Sequence, residues 1–327
     1  MKIAIRMPNW LGDLVMATPM IEEVRKRWGA AHITAICKDP LASLLQGHFD
    51  LDVILPLSKA THIQADIGIL LTNSFSSAWH FFKNKIKIRI GYKSDGRSLL
   101  LNNPIPFPKE RGKEHLVDTY KRLLGVPNSP SRPQLFITQE ESDAAKKKLR
   151  CYGIPDGALL IGVNPTAAYG PAKCWLPERF REITKRFSDC YFLYFGDRTG
   201  LPLVTQICQG MPASVINLAA QTTIREFMAL IAECDVFLTN DSGPMHLAAA
   251  LRTPLLALFG STNEVATGPY HFGKIIHKHV SCSPCYKRVC PIDFHCMTQI
   301  TVDEVEKELI FLLQKRSSQF EDQELLT

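Results

Sequence analysis

Two periods of apolar spacing alternate along this chain, short β-type runs and longer helical ones, and the alternation is played through twice. In the first half Lys2–Arg6, His32–Cys37, Val53–Leu57, Asp66–Leu71 and Ile86–Tyr92 are short apolar runs of strand length. A helix is expected from about Gly12 to Trp28, where Val15, Met16, Met20, Ile21 and Val24 recur at helical spacing. Further helices are expected at Pro40–Gln46, Phe75–Phe82 and Leu116–Leu124. The second half restarts with runs at Leu159–Asn164, Tyr191–Phe195, Ser214–Leu218, Val236–Asn240 and Leu255–Phe259. Thr223 with Glu226, and Thr301 with Glu304, have the spacing of capping boxes at helix starts. The last helix carries Val305, Leu309, Leu312 and Leu313 on one face, and the polar tail after it is expected to fray.

Buried parallel strands joined by helical crossovers explain such a pattern most economically. Between Gly125 and Phe136 three prolines interrupt both periods, which marks a boundary. The expected architecture is α/β: two Rossmann-like, doubly wound domains, 1–135 and 136–316, facing a central cleft, then a tail, 317–327. In doubly wound sheets ligands sit outside the carboxyl ends of the strands, so the loops after strands are the places to look for chemistry.

Composition narrows the class. The chain has 327 residues, 46% hydrophobic and 21% charged, with 19 Gly and 21 Pro, which excludes collagenous, low-complexity and disordered readings. The longest apolar stretch, Met245–Gly260, is broken by His246, Arg252, Thr253 and Pro254, too often for a membrane span. Arg6, Pro8, Asn9 and Asp13 interrupt the N-terminal apolar stretch, so a secretory signal is not expected and the chain is placed in the cytoplasm. Lys and Arg exceed Asp and Glu by 38 − 32 = 6, which favours anionic ligands in general. Two basic clusters, Lys83–Arg89 and Lys146–Arg150, are expected on the solvent faces of a strand and a helix. The aromatic-and-basic pattern of a nucleic-acid reader is absent.

Ten cysteines in a chain without a signal are expected to be reduced. Six are scattered among apolar neighbours. Four, Cys282, Cys285, Cys290 and Cys296, fall in CxxC-x4-C-x5-C order beside His295. They either close a tetrahedral structural zinc site or pack a loop as free thiols; four protein ligands would leave no open position for catalysis.

Three loops carry candidate chemistry. Met7–Asp13 joins the first strand to the first helix, where Gly12 permits close backbone approach and Asp13 is either a helix cap or a general base. Asn164–Pro177 contains Thr166 and Lys173, a cation within reach of a phosphate but without Walker spacing. Thr239–His246 opens a helix with Asp241, Ser242, Gly243, Pro244 and Met245, a turn whose N–H groups and hydroxyl suit an anion or simply cap the helix. His246, one turn in, faces either core or ligand. Asp50-Leu51-Asp52 is a DxD string that precedes a strand, and GxGxxG, GxSxG and HExxH are all missing.

Pro-Asn-Trp-Leu-Gly-Asp at 8–13, Thr-Asn-Ser-Phe at 72–75, Gly-Pro-Ala-Lys at 170–173 before Trp175, Phe195-Gly196, Asn217-Leu218-Ala219 and Thr-Asn-Asp-Ser-Gly-Pro-Met-His at 239–246 stand in one order. Together they resemble the lipopolysaccharide heptosyltransferases, the ADP-heptose-dependent glycosyltransferase family, over nearly the whole chain. Trp10 favours the branch that adds the second heptose. The resemblance implies a GT-B fold and an inverting transfer of heptose from ADP-heptose to a lipid A-core acceptor, without a catalytic metal or other cofactor. It implies Asp13 as general base and Gly12, Asn73 and Ser74 as acceptor-side residues. Thr166, Lys173, Asp241, Ser242, Gly243, Pro244, Met245 and His246 are implied on the donor side. Cys174 stands where the family often has Arg, and Thr166 where Gly is common. No nucleic-acid partner is expected, while a lipid acceptor implies peripheral contact with the cytoplasmic face of the inner membrane. A transferase using another nucleotide-sugar, a nucleotide-sugar epimerase, a two-domain solute-binding protein and a zinc-stabilised interaction module are the alternatives.

Overall fold

The computed structural model describes residues 1–108 and 112–324. It divides into two compact units, Met1–Phe136 with Val265–Tyr270, and Ile137–Glu264 with His271–Thr327. No described helix is long and apolar enough to cross a membrane.

The first unit is built on strands β1 (Lys2–Arg6), β2 (His32–Cys37), β3 (Val53–Pro56), β4 (Ile67–Leu70), β5 (Ile88–Tyr92) and β6 (Asn103–Ile105). They form one parallel sheet in the order β3-β2-β1-β4-β5-β6. The second unit has β7 (Leu160–Asn164), β8 (Tyr191–Tyr194), β9 (Val215–Asn217), β10 (Val236–Asn240), β11 (Leu255–Phe259) and β12 (Lys274–His277). Their order, β12-β11-β10-β7-β8-β9, repeats the first when each unit is numbered from its own first strand. Every residue of β7, β10 and β11 is buried, as both faces of a parallel sheet must be when helices cover them. Each sheet is doubly wound and reverses direction once, between β1 and β4 and between β7 and β10. That reversal opens a crevice at the strands' carboxyl ends.

The first helix is not continuous. Leu11–Met16 ends, Ala17 and Thr18 form a turn, and a second helix, Pro19–Arg27, begins with proline at its first position. The apolar spacing through Met20 and Val24 hid this break. Pro19 has no N–H to donate and its ring crowds the carbonyl four residues earlier. The helix predicted at Pro40–Gln46 is a 3-10 helix, Asp39–Leu45. Lys83 closes the helix Phe75–Lys83 and Lys85 has a φ of 56°, so only Arg89 of the first basic cluster lies in a strand. The second cluster lies on the helix Gln139–Cys151, as its pattern predicts. The last helix runs from Val302 to Glu324, past the boundary expected at residue 316, and residues 325–327 lie outside the described residues.

Val265–Tyr270 counts with the first unit for visible reasons. The Tyr270 hydroxyl donates to Asp118 at 2.6 Å. The fully buried Lys121 ammonium lies 3.1 Å from the same hydroxyl and 3.0 Å from Asp118. A His115 ring nitrogen meets the Gly268 carbonyl at 2.9 Å.

Candidate active site

All twelve residues singled out from the sequence lie just beyond the carboxyl ends of β1, β4, β7 and β10, the four strands that flank the two reversals. In the first unit Gly12 and Asp13 follow β1, and Asn73 and Ser74 follow β4. In the second, Thr166 and Lys173 follow β7, and the turn from Asp241 to His246 follows β10.

Buried Arg6 at the end of β1 shapes the first of these loops. Its guanidinium donates to the Met7 carbonyl, and at 2.6 Å to Asn9 Oδ1. Trp10, two-thirds exposed, is the residue that caps the helix Leu11–Met16. Asp13 therefore occupies the third helical position, and the reading of Asp13 as the cap is corrected. The Asp13 side chain is half-buried and close enough to buried Tyr120 to affect its ionisation. Burial pushes the Tyr120 phenol well up and the negative charge of Asp13 adds to it, which keeps the phenol protonated beside the Asp13 loop.

Arg97, which nothing in the sequence singles out, organises the loop after β4. It is fully buried and donates to the Tyr92 carbonyl at 3.0 Å, to the Thr72 carbonyl, and at 3.4 Å to Asn73 Oδ1. Burial lowers its pKa to about 10, which leaves it charged at neutral pH. Ser74 caps the helix Phe75–Lys83 by accepting from the Ser77 N–H.

In the second unit the register sets Asn164 of β7 beside Thr239 of β10. Asn164 Nδ2 donates to the Thr166 carbonyl at 2.8 Å and to Ser242 Oγ at 3.2 Å. Asn240 answers from the other strand: its Nδ2 donates to the Pro165 carbonyl at 2.8 Å, and its Oδ1 accepts from the Trp175 N–H at 3.0 Å. The Trp175 indole, 1% exposed, is anchored to the Ile300 carbonyl at 3.0 Å. Between these ties Lys173 Nζ reaches Asp241 Oδ2 at 2.5 Å, with side-chain exposures of 12% and 5%. The Thr262 hydroxyl also donates to that oxygen. The Tyr169 ring lies 4.8 Å beneath the ammonium, an attractive cation–π contact.

This corrects part of the anion-cradle expectation for the turn after β10. Pro244 has no N–H, and the Met245 N–H is already donated to the Ser242 carbonyl at 3.1 Å. At the open start of the helix the Gly243 N–H can serve a ligand, whereas the Ser242 hydroxyl is already engaged. It accepts from Asn164 Nδ2, and because Thr239 gives its own proton to the Asn240 carbonyl, it donates to Thr239 Oγ1, so a ligand has to displace that bond. Ser242 makes no cap bond of its own and instead lies 3.1 Å from Thr239 Oγ1. His246 and Met245 are buried in the helix Gly243–Ala250, on the core side of the turn.

The cysteine-rich segment packs against the Lys173 loop. The Arg288 carbonyl accepts from the Ala172 N–H at 3.0 Å, and a Cβ at Gly170, whose φ is 150°, would collide with that carbonyl. The Tyr169 hydroxyl donates to the Tyr286 carbonyl at 2.6 Å. Cys282, Cys285 and Cys290 all lie near enough to buried Cys296 to add to the effect of burial, which raises its thiol pKa to about 11. Among the described residues Glu264, His277 and His279 also gather, with ligand atoms within 4.8 Å of one another. Burial holds Cys174 at a pKa of about 11, so its thiol stays protonated beside Lys173.

Comparison with known proteins places this geometry. The description of glycosyltransferase family 9 (heptosyltransferase) matches residues 57–295. Lipooligosaccharide heptosyltransferase 2 of Campylobacter jejuni is 30% identical, covering 96% of this chain and 98% of that protein. Lipopolysaccharide heptosyltransferase 2 of Escherichia coli is 27% identical, covering 96% and 99%. The solved structure of E. coli ADP-heptose lps heptosyltransferase II superimposes with a TM-score of 0.83 at 26% identity, covering 97% of this chain and all of that one.

Proposed function

This chain belongs to glycosyltransferase family 9, the heptosyltransferases, and on that footing we propose that it transfers L-glycero-D-manno-heptose from ADP-heptose to the heptose of a lipopolysaccharide inner core. One observation carries the assignment of roles: the candidate residues of both units gather at the two points where strand order reverses.

Asp13 is the general base. It takes the proton of the acceptor hydroxyl as that oxygen attacks the anomeric carbon and the bond to ADP breaks on the opposite face, which inverts the configuration. A carboxylate of ordinary basicity, near pKa ~4, cannot hold the proton of a free sugar hydroxyl. Proton transfer is therefore late, after bond formation has drained charge from the attacking oxygen. Lys173 stabilises the charge that develops on the departing pyrophosphate, with the Ser242 hydroxyl, the Gly243 N–H and Thr166 as further donors. A preorganised donor of this kind is typically worth about 3–4 kcal/mol of barrier. Asp241 holds Lys173 in place and lowers the net charge of the site, while Pro244, Met245 and His246 set the helix that carries the turn. Gly12, Asn73 and Ser74 face the acceptor. The lipid-linked acceptor also requires the protein to meet the cytoplasmic face of the inner membrane.

The test is incubation with ADP-heptose and a heptosylated lipid A-core acceptor, read by mass spectrometry. One added heptose supports the reading. A changed nucleotide-sugar formed without acceptor, or transfer from another nucleotide-sugar in preference, contradicts it.

A further inference from the structure

We propose that the helix Phe75–Lys83, with the basic segment after it, is the surface by which the protein docks on an anionic lipid bilayer; this builds on the lipid-linked acceptor proposed above. The helix turns Ser77, Ala78 and Phe81 inward. Phe75, Trp79 and Phe82, at spacings of four and three, make one outward stripe, 45%, 49% and 43% exposed. The Trp79 and Phe82 rings stack at 5.7 Å, so the stripe is continuous over its last turn. The turn Arg97–Leu100 packs beside this helix and adds Leu99, 93% exposed. Single exposed apolar residues are ordinary, but a stripe of three aromatics is a contact surface waiting for a partner.

Charge identifies that partner. From Ile67 to Ser94 the chain contains no Asp or Glu, while Lys83, Lys85, Lys87, Arg89 and Lys93 all fall there. Lys83, Lys85 and Lys87 are exposed where the helix ends. The Arg89 guanidinium lies 5.3 Å over the Phe82 ring, joining the basic group to the aromatic one. The nearest carboxylate in sequence, Asp95, accepts the Phe75 N–H at 2.7 Å, at the far end of the helix from the lysines. Aromatic side chains suit the boundary between headgroups and acyl chains, and lysines beside them suit anionic headgroups. A second copy of the chain is a poorer fit, because a two-fold contact through this face would set the lysine cluster against itself. Ser74, which caps this helix, is among the residues proposed above to face the acceptor, and that is where a lipid-anchored substrate has to arrive.

Cosedimentation with vesicles free of acceptor tests this apart from catalysis. The wild-type protein is expected to bind vesicles containing phosphatidylglycerol, to ignore phosphatidylcholine vesicles, and to be released by high salt. Trp79→Ser/Phe82→Ser and, separately, Lys83→Gln/Lys85→Gln/Lys87→Gln should each weaken binding by at least about tenfold. Both variants should keep the thermal melt of the wild type and full transfer to a deacylated, soluble acceptor. Equal binding to neutral vesicles, or variants that bind like the wild type, overturns the proposal. So does a wild-type dimer that the variants dissolve without any vesicle binding, or a preference for single-stranded RNA over vesicles. Vesicle binding as expected with no heptose transfer would keep this surface and remove the function proposed above.

Discussion

Lys173 and Asp241, 68 residues apart, close an ion pair of 2.5 Å that ties the loop after β7 to the turn after β10. The pair is almost entirely withdrawn from water, so its members depend on each other. A buried charge left without its partner costs several kcal/mol, and the Thr262 hydroxyl alone cannot replace an ammonium. In the proposed mechanism Asp241 thus fixes the cation that meets the departing pyrophosphate, and the cation offsets the negative charge of Asp241.

Lys173→Ala should accordingly do two things: weaken ADP binding and lower stability by about 3 kcal/mol. The two effects separate in Lys173→Met/Asp241→Asn, which removes both charges. That double variant should recover most of the melting temperature yet bind ADP as poorly as Lys173→Ala. Calorimetric ADP titration beside thermal melts reads both, and an unchanged ADP affinity in either variant would take Lys173 out of the phosphate site.

Arg97 holds the loop after β4, the one proposed to meet the acceptor. Arg97→Met strips the Thr72 and Tyr92 carbonyls and Asn73 of their shared donor. It should cost about 2–3 kcal/mol of stability and raise KM for the acceptor while ADP affinity stays put. Arg97→Lys keeps the charge but not the planar fork and should recover only part of the KM. Equal KM values for all three proteins would leave Arg97 with a role in stability alone.

His48 gives the fold an acid-sensitive point. Its Nδ1 accepts the Asp50 N–H at 3.3 Å, and burial lowers its pKa from 6.5 to about 4. Above pH 6.5 folded and unfolded forms are both neutral and His48 contributes no slope. Between 6.5 and 4 the unfolded chain takes up a proton that the folded one refuses, so stability falls, by about 3 kcal/mol in total. His48→Asn keeps an acceptor and cannot be protonated. Urea melts at pH 7.5 and 4.5 should show a smaller loss in the variant, and parallel losses would refute this.

The order of elements was readable because parallel strands buried on both faces are uninterrupted apolar runs, as in β7, β10 and β11. The edges were not. Asn-Pro-Ile of β6 and Lys-Ile-Ile-His of β12 are short and partly exposed, and carry no run. The break at Ala17–Thr18 was masked by apolar spacing that continues across it, although Pro19 was there to be weighed. The site loops were legible from their place after strands. Their internal wiring was not, because it joins residues far apart in sequence: Asn240 with Trp175, Thr262 with Asp241, and Arg97 with Thr72. Asn164 and Asn240 each end one of the two strands that flank the reversal in the second unit, and an asparagine closing an apolar run was the one available signal for them.

The proposed transfer turns on the carboxylate of Asp13, and Asp13→Asn reads it directly. Turnover at saturating ADP-heptose and acceptor should fall by at least about 10²-fold, with ADP-heptose affinity and melting temperature unchanged. Turnover close to that of the wild type would show that the acceptor's proton leaves by another route and contradict the mechanism.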